Sequence, residues 1–402
     1  MAKKEGYTRS HHPAPGDLSK IKEEILSWIG PMPKPRIEQR LEQWIRDTGD
    51  ASWDRSAAPL FERMRSMQKL LKKKDYPHPD DFFFSIEDLP YMGKEYWFLY
   101  FVVPGEDMQV VITTGRSQGP VQVNRSRVKK DAGMLSDEGT KTADCAAVCW
   151  MYSDRKEMLI DSAVVVGVSE ESGRHRMSFR KGRNEMVMEG AYPRFDISLK
   201  KNGHAVFSVR ATAQKKGTPW EMPPRLLDNP FVKGFGAVLV NYFFDYEGMM
   251  HDCSVKGKAY LQKVVATVPF TPWNWIRVQF KTGCVLDYFT VSPLGEFSTN
   301  RVISDAGYFE FDGKRFELRG YKLTGYMDGE TKRWLLSGKD LYLSMESYSL
   351  TPFKMKHRTE FQYDEYLVRV KDFALRIGNR TYTLGDLGAG SGIVEDAQGY
   401  FV

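Results

Sequence analysis

Gly257-Lys-Ala-Tyr-Leu-Gln-Lys-Val-Val-Ala-Thr-Val-Pro-Phe-Thr-Pro-Trp-Asn-Trp-Ile-Arg-Val-Gln-Phe-Lys-Thr-Gly-Cys-Val-Leu-Asp-Tyr-Phe289 decides the fold of this chain. A β-branched run (Lys263 to Val268) meets two prolines at Pro269 and Pro272. A tryptophan-rich strand then follows and turns back at Lys281-Thr-Gly283. Proline cannot sit inside a central strand, so the two prolines mark a corner between two β-regions. A ligand site is expected at such a junction.

Working outward, strand-like runs crowd both sides. Before the corner they include Tyr96 to Val103, Met108 to Thr114, Val121 to Val128, Ala146 to Tyr152, Met158 to Val168, Arg174 to Phe179, Asn184 to Glu189, Phe195 to Lys200, Ala205 to Ala211 and Gly236 to Tyr246. After it come Trp275 to Phe280, Val285 to Val291, Tyr308 to Phe311, Phe316 to Thr324, Trp334 to Leu336, Asp340 to Met345, Tyr366 to Val370 and Ala374 to Ile377. Turn residues such as Lys201-Asn202-Gly203, Asp312-Gly313 and Asp328-Gly329 separate them. Short strands without intervening helices imply antiparallel sandwiches or barrels. The openings at Trp97 and Trp275 share a pattern, so the two regions read as related β-domains.

Residues 17 to 75 have a different period. Leu18, Ile21, Ile25 and Trp28, then Ile37, Leu41 and Trp44, then Leu60, Met64, Met67 and Leu71 recur at helical spacing. Pro77, Pro79 and Asp80-Asp81 end that pattern, and strand character is expected from Phe82. The division is therefore a helical extension over 1–81, a first β-domain over 82–268 and a second over 269–402. The third helix ends in Lys72, Lys73 and Lys74, which suit either the helix dipole or peripheral contact with an anionic membrane.

At 402 residues the chain exceeds the size of one ordinary core. Lys and Arg outnumber Asp and Glu by 58 to 52, too small an excess to imply nucleic acid. Cys145, Cys149, Cys253 and Cys284 lack zinc-site spacing and read as inert buried thiols. The opening Met-Ala-Lys-Lys-Glu-Gly-Tyr lacks a signal peptide's apolar stretch, and no run reaches the ~20 apolar residues of a membrane helix. A cytoplasmic protein without a cofactor is expected. Asp386-Leu-Gly-Ala-Gly-Ser-Gly392 has the look of a nucleotide-binding turn, but only ten residues follow it and no βα unit contains it.

The stretch Gly257-Lys-Ala-Tyr260, Pro272-Trp-Asn-Trp275 and Gly283 to Phe289, together with Gly390-Ser-Gly-Ile-Val-Glu-Asp-Ala-Gln-Gly-Tyr400, resembles the carotenoid 1,2-hydratase (hydroxyneurosporene synthase) family and its AttH-like relatives. The resemblance covers residues 82–402. It implies a mainly β protein of two lipocalin-like antiparallel barrel or sandwich domains, and an elongated isoprenoid, carotenoid or lipid as ligand. It also implies cofactor-independent hydration or isomerisation of a double bond, with a non-catalytic carrier or a cavity-free structural protein as the alternatives. Many relatives carry a histidine and aspartate cluster just after the Gly-x-Ala-Tyr equivalent. This chain has Leu261-Gln262-Lys263 there.

Hydrating an unactivated alkene needs an acid kept protonated by apolar surroundings, a surface that stabilises a carbocation, and a held water. Asp287 alternates with Val285, Phe289 and Val291 and is one candidate acid; pairing with Arg277 across the hairpin is its structural alternative. Asp245 is a second, near the turn-like Gly248. His251 is the histidine nearest the junction and a candidate proton shuttle, although His251-Asp252-Cys253 on alternating faces cannot chelate one metal. Tyr260 and Gln262 share one face, as do Trp273, Trp275 and Arg277. With Tyr288, these form the candidate ligand-binding set, unless they are simply packed core.

Overall fold

The structure, a computed structural model, describes residues 79–86, 89, 93–128, 135–137, 139–213, 237–266, 272–291, 304–357 and 359–399. The helices expected over 17–75, with Lys72, Lys73 and Lys74, lie outside the described residues. A short helix α1 (Pro79–Phe83) comes first. Pro79 opens it, and Asp80 and Asp81 favour its positive end. Strand structure therefore starts at Lys94 rather than at Phe82.

Thirteen strands precede the proline corner: β1 (Lys94–Val102), β2 (Met108–Ser117), β3 (Val121–Val123), β4 (Ser126–Val128), β5 (Leu135–Asp137), β6 (Thr140–Ser153), β7 (Lys156–Glu171), β8 (Arg174–Lys181), β9 (Asn184–Ala191), β10 (Arg194–Lys201), β11 (His204–Ala213), β12 (Ala237–Met250) and β13 (Cys253–Ala266). Ten follow it: β14 (Trp273–Phe280), β15 (Val285–Val291), β16 (Ser304–Phe311), β17 (Lys314–Leu318), β18 (Lys322–Asp328), β19 (Thr331–Ser337), β20 (Leu341–Lys356), β21 (Glu360–Ile377), β22 (Arg380–Thr383) and β23 (Gly390–Gly399), with a one-turn α2 (Leu384–Leu387) before the last. The protein is mainly β.

Strands β6 to β13 meander in sequence order, β13 pairs with β1, β1 with β2, and β2 with β6. These ten strands form a closed antiparallel barrel without an edge. Beyond the corner the order is β17-β16-β15-β14-β23-β21-β20-β19-β18, and no pairing closes this second sheet among the described residues. Strands β3 and β4 leave the barrel to join it: Val123 pairs with Met355 on β20.

Side-chain pattern shows which barrel wall faces the second sheet. Strands β8 to β10 alternate, with Met177, Phe179, Met186, Met188, Phe195, Ile197 and Leu199 inside and polar residues outside. In β1, by contrast, every residue from Trp97 to Val102 is buried. Trp97, Leu99 and Phe101 fill the barrel, while Phe98, Tyr100 and Val102 pack against the second sheet. A strand covered on both faces has no reason to alternate.

Aromatic residues and methionines occupy the barrel interior, and Phe82, Phe83 and Phe84 enter its core from α1. Phe83 meets Tyr242 edge-on at 5.1 Å, and Phe84 stacks on His175 at 4.8 Å. Lys263 Nζ donates to the Ser85 carbonyl at 2.6 Å and pairs with Glu95 at 2.7 Å, its ammonium 3.8 Å from the Trp97 ring centroid. Glu95 also holds Arg116 at 2.7 Å. Lys263 is thus a clasp inside the barrel.

The glycine-rich turn near the C-terminus leads into β23, which runs between β14 and β21. Gly392 is needed there for close approach: a Cβ would lie 2.2 Å from the Arg277 carbonyl oxygen. Among the described residues no helix follows it. Among the described residues, no helix is long and apolar enough to cross a membrane.

Candidate functional site

The second sheet presents one face to the barrel. On β14 that face carries Trp273, Trp275, Arg277 and Gln279; on β23 Ala397, Glu395, Ile393 and Ser391; on β21 Tyr363, Glu365, Leu367 and Arg369. Cross-strand register aligns Trp275, Glu395, Glu365 and Thr351 in one row over four neighbouring strands. Two carboxyl groups therefore stand side by side in the seam.

The barrel supplies two partners of Glu365, and the second sheet supplies those of Glu395. Trp150 Nε1 on β6 donates to Glu365 Oε2 at 2.8 Å, and the Thr113 hydroxyl on β2 donates to Glu365 Oε1 at 3.2 Å. Trp273 Nε1 donates to Glu395 Oε2 at 3.0 Å. Tyr363 bridges the pair, its hydroxyl oxygen 2.5 Å from Glu395 Oε1 and 3.2 Å from Glu365 Oε1. Glu365 is fully buried and Glu395 nearly so.

Burial, with repulsion from Glu395, pushes the Glu365 carboxyl up to about 8. Burial likewise raises Glu395 to about 7, with Asp287 adding a smaller repulsion. Interacting carboxyls titrate as a pair, which retains at least one proton near neutrality. Tyr363 is held well above the usual phenol range by burial and by the two carboxyls.

A phenol has one proton, so Tyr363 donates to only one of the two carboxyls and accepts from the other, which is then protonated. Glu365 also receives Trp150 and Thr113. Glu395, Tyr363 and Glu365 thus form a three-member relay that holds a proton between two carboxyls. Thr351, next in the row, is buried and its hydroxyl has no hydrogen-bond partner among the described residues.

The residues expected from sequence divide sharply. Tyr260, Gln262, Trp273, Trp275 and Arg277 do come together in the seam. Tyr260 and Trp275 rings lie 5.3 Å apart, Phe98 meets Trp275 edge-on at 5.7 Å, and Arg277 sits 4.9 Å from both the Phe243 and Tyr260 centroids. Gln262 Nε2 donates to the Tyr260 hydroxyl at 2.7 Å and to Asn241 Oδ1 at 2.9 Å. Tyr288 points to the opposite face of its sheet, where its hydroxyl donates to Asp305 at 2.5 Å.

The expected acids are placed differently. Asp287 pairs with Arg277 at 2.6 Å and accepts from Trp275 Nε1 at 3.0 Å, so it positions the Trp275–Arg277 pair. Asp245 is exposed on the barrel wall in an ion pair with Lys258. His251 is at the β12–β13 hairpin tip with a positive φ of 49°, 3.5 Å from Glu157. Seven strand residues separate that tip from Tyr260, roughly 23 Å at strand rise, so His251 cannot serve the junction. Among the described residues, no three His, Cys, Asp or Glu side chains are placed to share a metal ion.

Sequence reasoning missed Glu365, Glu395 and Tyr363. A signal existed in Phe361-Gln-Tyr363-Asp-Glu365-Tyr-Leu367, where a carboxylate interrupts an aromatic and aliphatic face. The opposite face mixes Gln362 and Asp364 with Tyr366 and Val368, so a carboxylate stands on each face and alternation alone did not single out the position.

No protein-family model matches the chain, and no curated protein sequence matches it. Solved structures do. The chain is similar to CghA in its crystal structure with Sch210972, at 10% identity and a TM-score of 0.40, over 76% of this chain and 88% of that one. CghA alone gives 11% identity and the same TM-score. A Nitrosomonas europaea protein described as AttH (NE1406) is similar at 12% identity and a TM-score of 0.39, over 77% of this chain and 93% of that one. Likeness at this level carries no argument about the site.

Proposed function

We propose that the seam between barrel and second sheet binds an elongated apolar molecule of isoprenoid or lipid character and protonates one of its double bonds. The observation that supports this reading is the buried Glu395–Tyr363–Glu365 relay, two carboxyls that hold a proton near neutrality. Glu395 transfers its proton to an alkene carbon, and the faces of Trp275, Tyr260 and Trp273 stabilise the cation that forms. Glu365 then takes a proton, either from water adding to the cation or from its neighbouring carbon. The first outcome is hydration and the second isomerisation. Tyr363 returns the proton to Glu395. Carbocation chemistry of this kind needs no redox cofactor.

Incubating the full chain in D2O with an acyclic isoprenoid, and following deuterium uptake by mass spectrometry, tests the reading. Uptake is expected for the natural protein, with a fall of about 10²-fold or more in Glu395→Gln, typical for loss of a general acid. Asp245→Asn, on the exposed barrel wall, should retain most of it. Binding without uptake reduces the protein to a carrier, and absence of binding overturns the proposal.

A further inference from the structure

A second polar group lies in the seam, two residues beyond Trp275 on the same face of β14. Arg277 and Gln279 are nearly inaccessible, 3% and 1% exposed. Arg277 Nη1 donates to Asp287 Oδ2 at 2.6 Å and to the Tyr308 hydroxyl at 3.1 Å. Its Nε has no hydrogen-bond partner among the described residues, and neither the nitrogen nor the oxygen of the Gln279 side-chain amide has one. Buried donors and acceptors are seldom left open, because water is lost without replacement. Three open groups on neighbouring positions of one strand face thus require an explanation.

Their chemistry specifies a complement. A primary amide offers one acceptor and one donor side by side, which matches a carboxylic acid in a two-hydrogen-bond ring, and Arg277 Nε adds a further donor to the carbonyl oxygen. Asp287 already balances the Arg277 charge, so a neutral carboxylic acid fits this dry position without a second buried anion.

We infer that Arg277 and Gln279 form the head-group subsite for an unsaturated long-chain carboxylic acid. The inference rests on the seam being the ligand site. Along β14, Arg277 is about 7 Å and Gln279 about 13 Å from the Trp275 row that carries Glu395. Unsaturation at that span from the carboxyl meets the acid, and isoprenoid acids repeat their double bonds across it. The aromatic faces of Trp275 and Tyr260 lie between the two ends.

The experiment titrates the full chain with farnesoic acid and with farnesene, which lacks a head group, and follows tryptophan fluorescence. The natural protein should bind the acid at least tenfold more tightly, and Gln279→Leu should bring the two affinities together. An apolar residue of similar size at a position without partners should leave the thermal melt unchanged or higher, so the variant reports on binding and not on folding. Equal affinity for acid and hydrocarbon, or an unchanged ratio in Gln279→Leu, overturns the subsite and leaves the apolar-ligand reading standing. Binding of neither molecule overturns both.

Discussion

The Glu365–Glu395 pair makes stability depend on pH in a direction opposite to that of ordinary ion-paired carboxylates. Both groups have folded values, about 8 and about 7, above the ordinary 4.5 of glutamate. Between those limits the folded protein holds protons that the unfolded chain has released. Stability is therefore highest near pH 4.5 and is lost as pH rises towards 8. Each proton so held costs about 1.4 kcal/mol per pH unit. From pH 5 to pH 7 one carboxyl contributes about 2 kcal/mol and the pair about 4 kcal/mol, allowing for partial ionisation at either end. That is a large fraction of the 5–15 kcal/mol typical of a folded domain. The window stops at pH 7 because burial lowers Lys94 to about 7, which adds stability with rising pH above that point. Asp364 and Asp396, also raised by burial, slope the same way as the pair and must be subtracted. Urea unfolding at half-unit steps, for the natural protein and for the combined Glu365→Gln and Glu395→Gln variant, isolates the effect. Both amides keep an acceptor for Trp150 and Trp273. The natural protein should lose about 4 kcal/mol more than the variant across the window. Parallel slopes would refute the claim that these carboxyls are buried and protonated.

Two further outcomes follow from the fold. Lys263→Met leaves Glu95 half-compensated and releases the Ser85 carbonyl, so a loss of about 3–5 kcal/mol is expected, with faster amide exchange over Phe82–Ile86. A loss below about 1 kcal/mol, the scale of a surface pair, would show that the clasp is not needed. Gly257→Ala places a Cβ 2.1 Å from the Val102 carbonyl oxygen, where β13 crosses β1. Overpacking of this kind costs about 1–3 kcal/mol, readable as a lower Tm; an unchanged melt would mean that the two strands part without penalty.

Much of the architecture was legible because β-structure writes itself locally. The alternation of β8 to β10 and turns such as Asp312-Gly313 needed no partner to be recognised, whereas the transfer of β3 and β4 to the second sheet left no local mark. Merged or shortened strands were the weaker part. Tyr366 to Val370 and Ala374 to Ile377 are one continuous β21, because pairing with β20 carries the chain through the intervening Lys371-Asp372-Phe373. Three of the four cysteines are buried as expected, but Cys253 is exposed at the hairpin end of β13.

The site was less legible, for a reason particular to this protein. For Asp287 the sequence left two readings, an acid on an apolar face or a partner of Arg277 across the hairpin, and the structure has the second. Glu365 and Glu395 are thirty residues apart and meet only because β21 and β23 pair in one register. Their donors Trp150 and Thr113 come from the barrel, more than two hundred residues earlier. The sequence by itself determined that this chain is β and that Tyr260, Trp273, Trp275 and Arg277 lie close together. Only the tertiary structure decided which carboxyls are acids. A carboxyl's proton affinity depends on what surrounds it in space, and here that surrounding is assembled from two sheets.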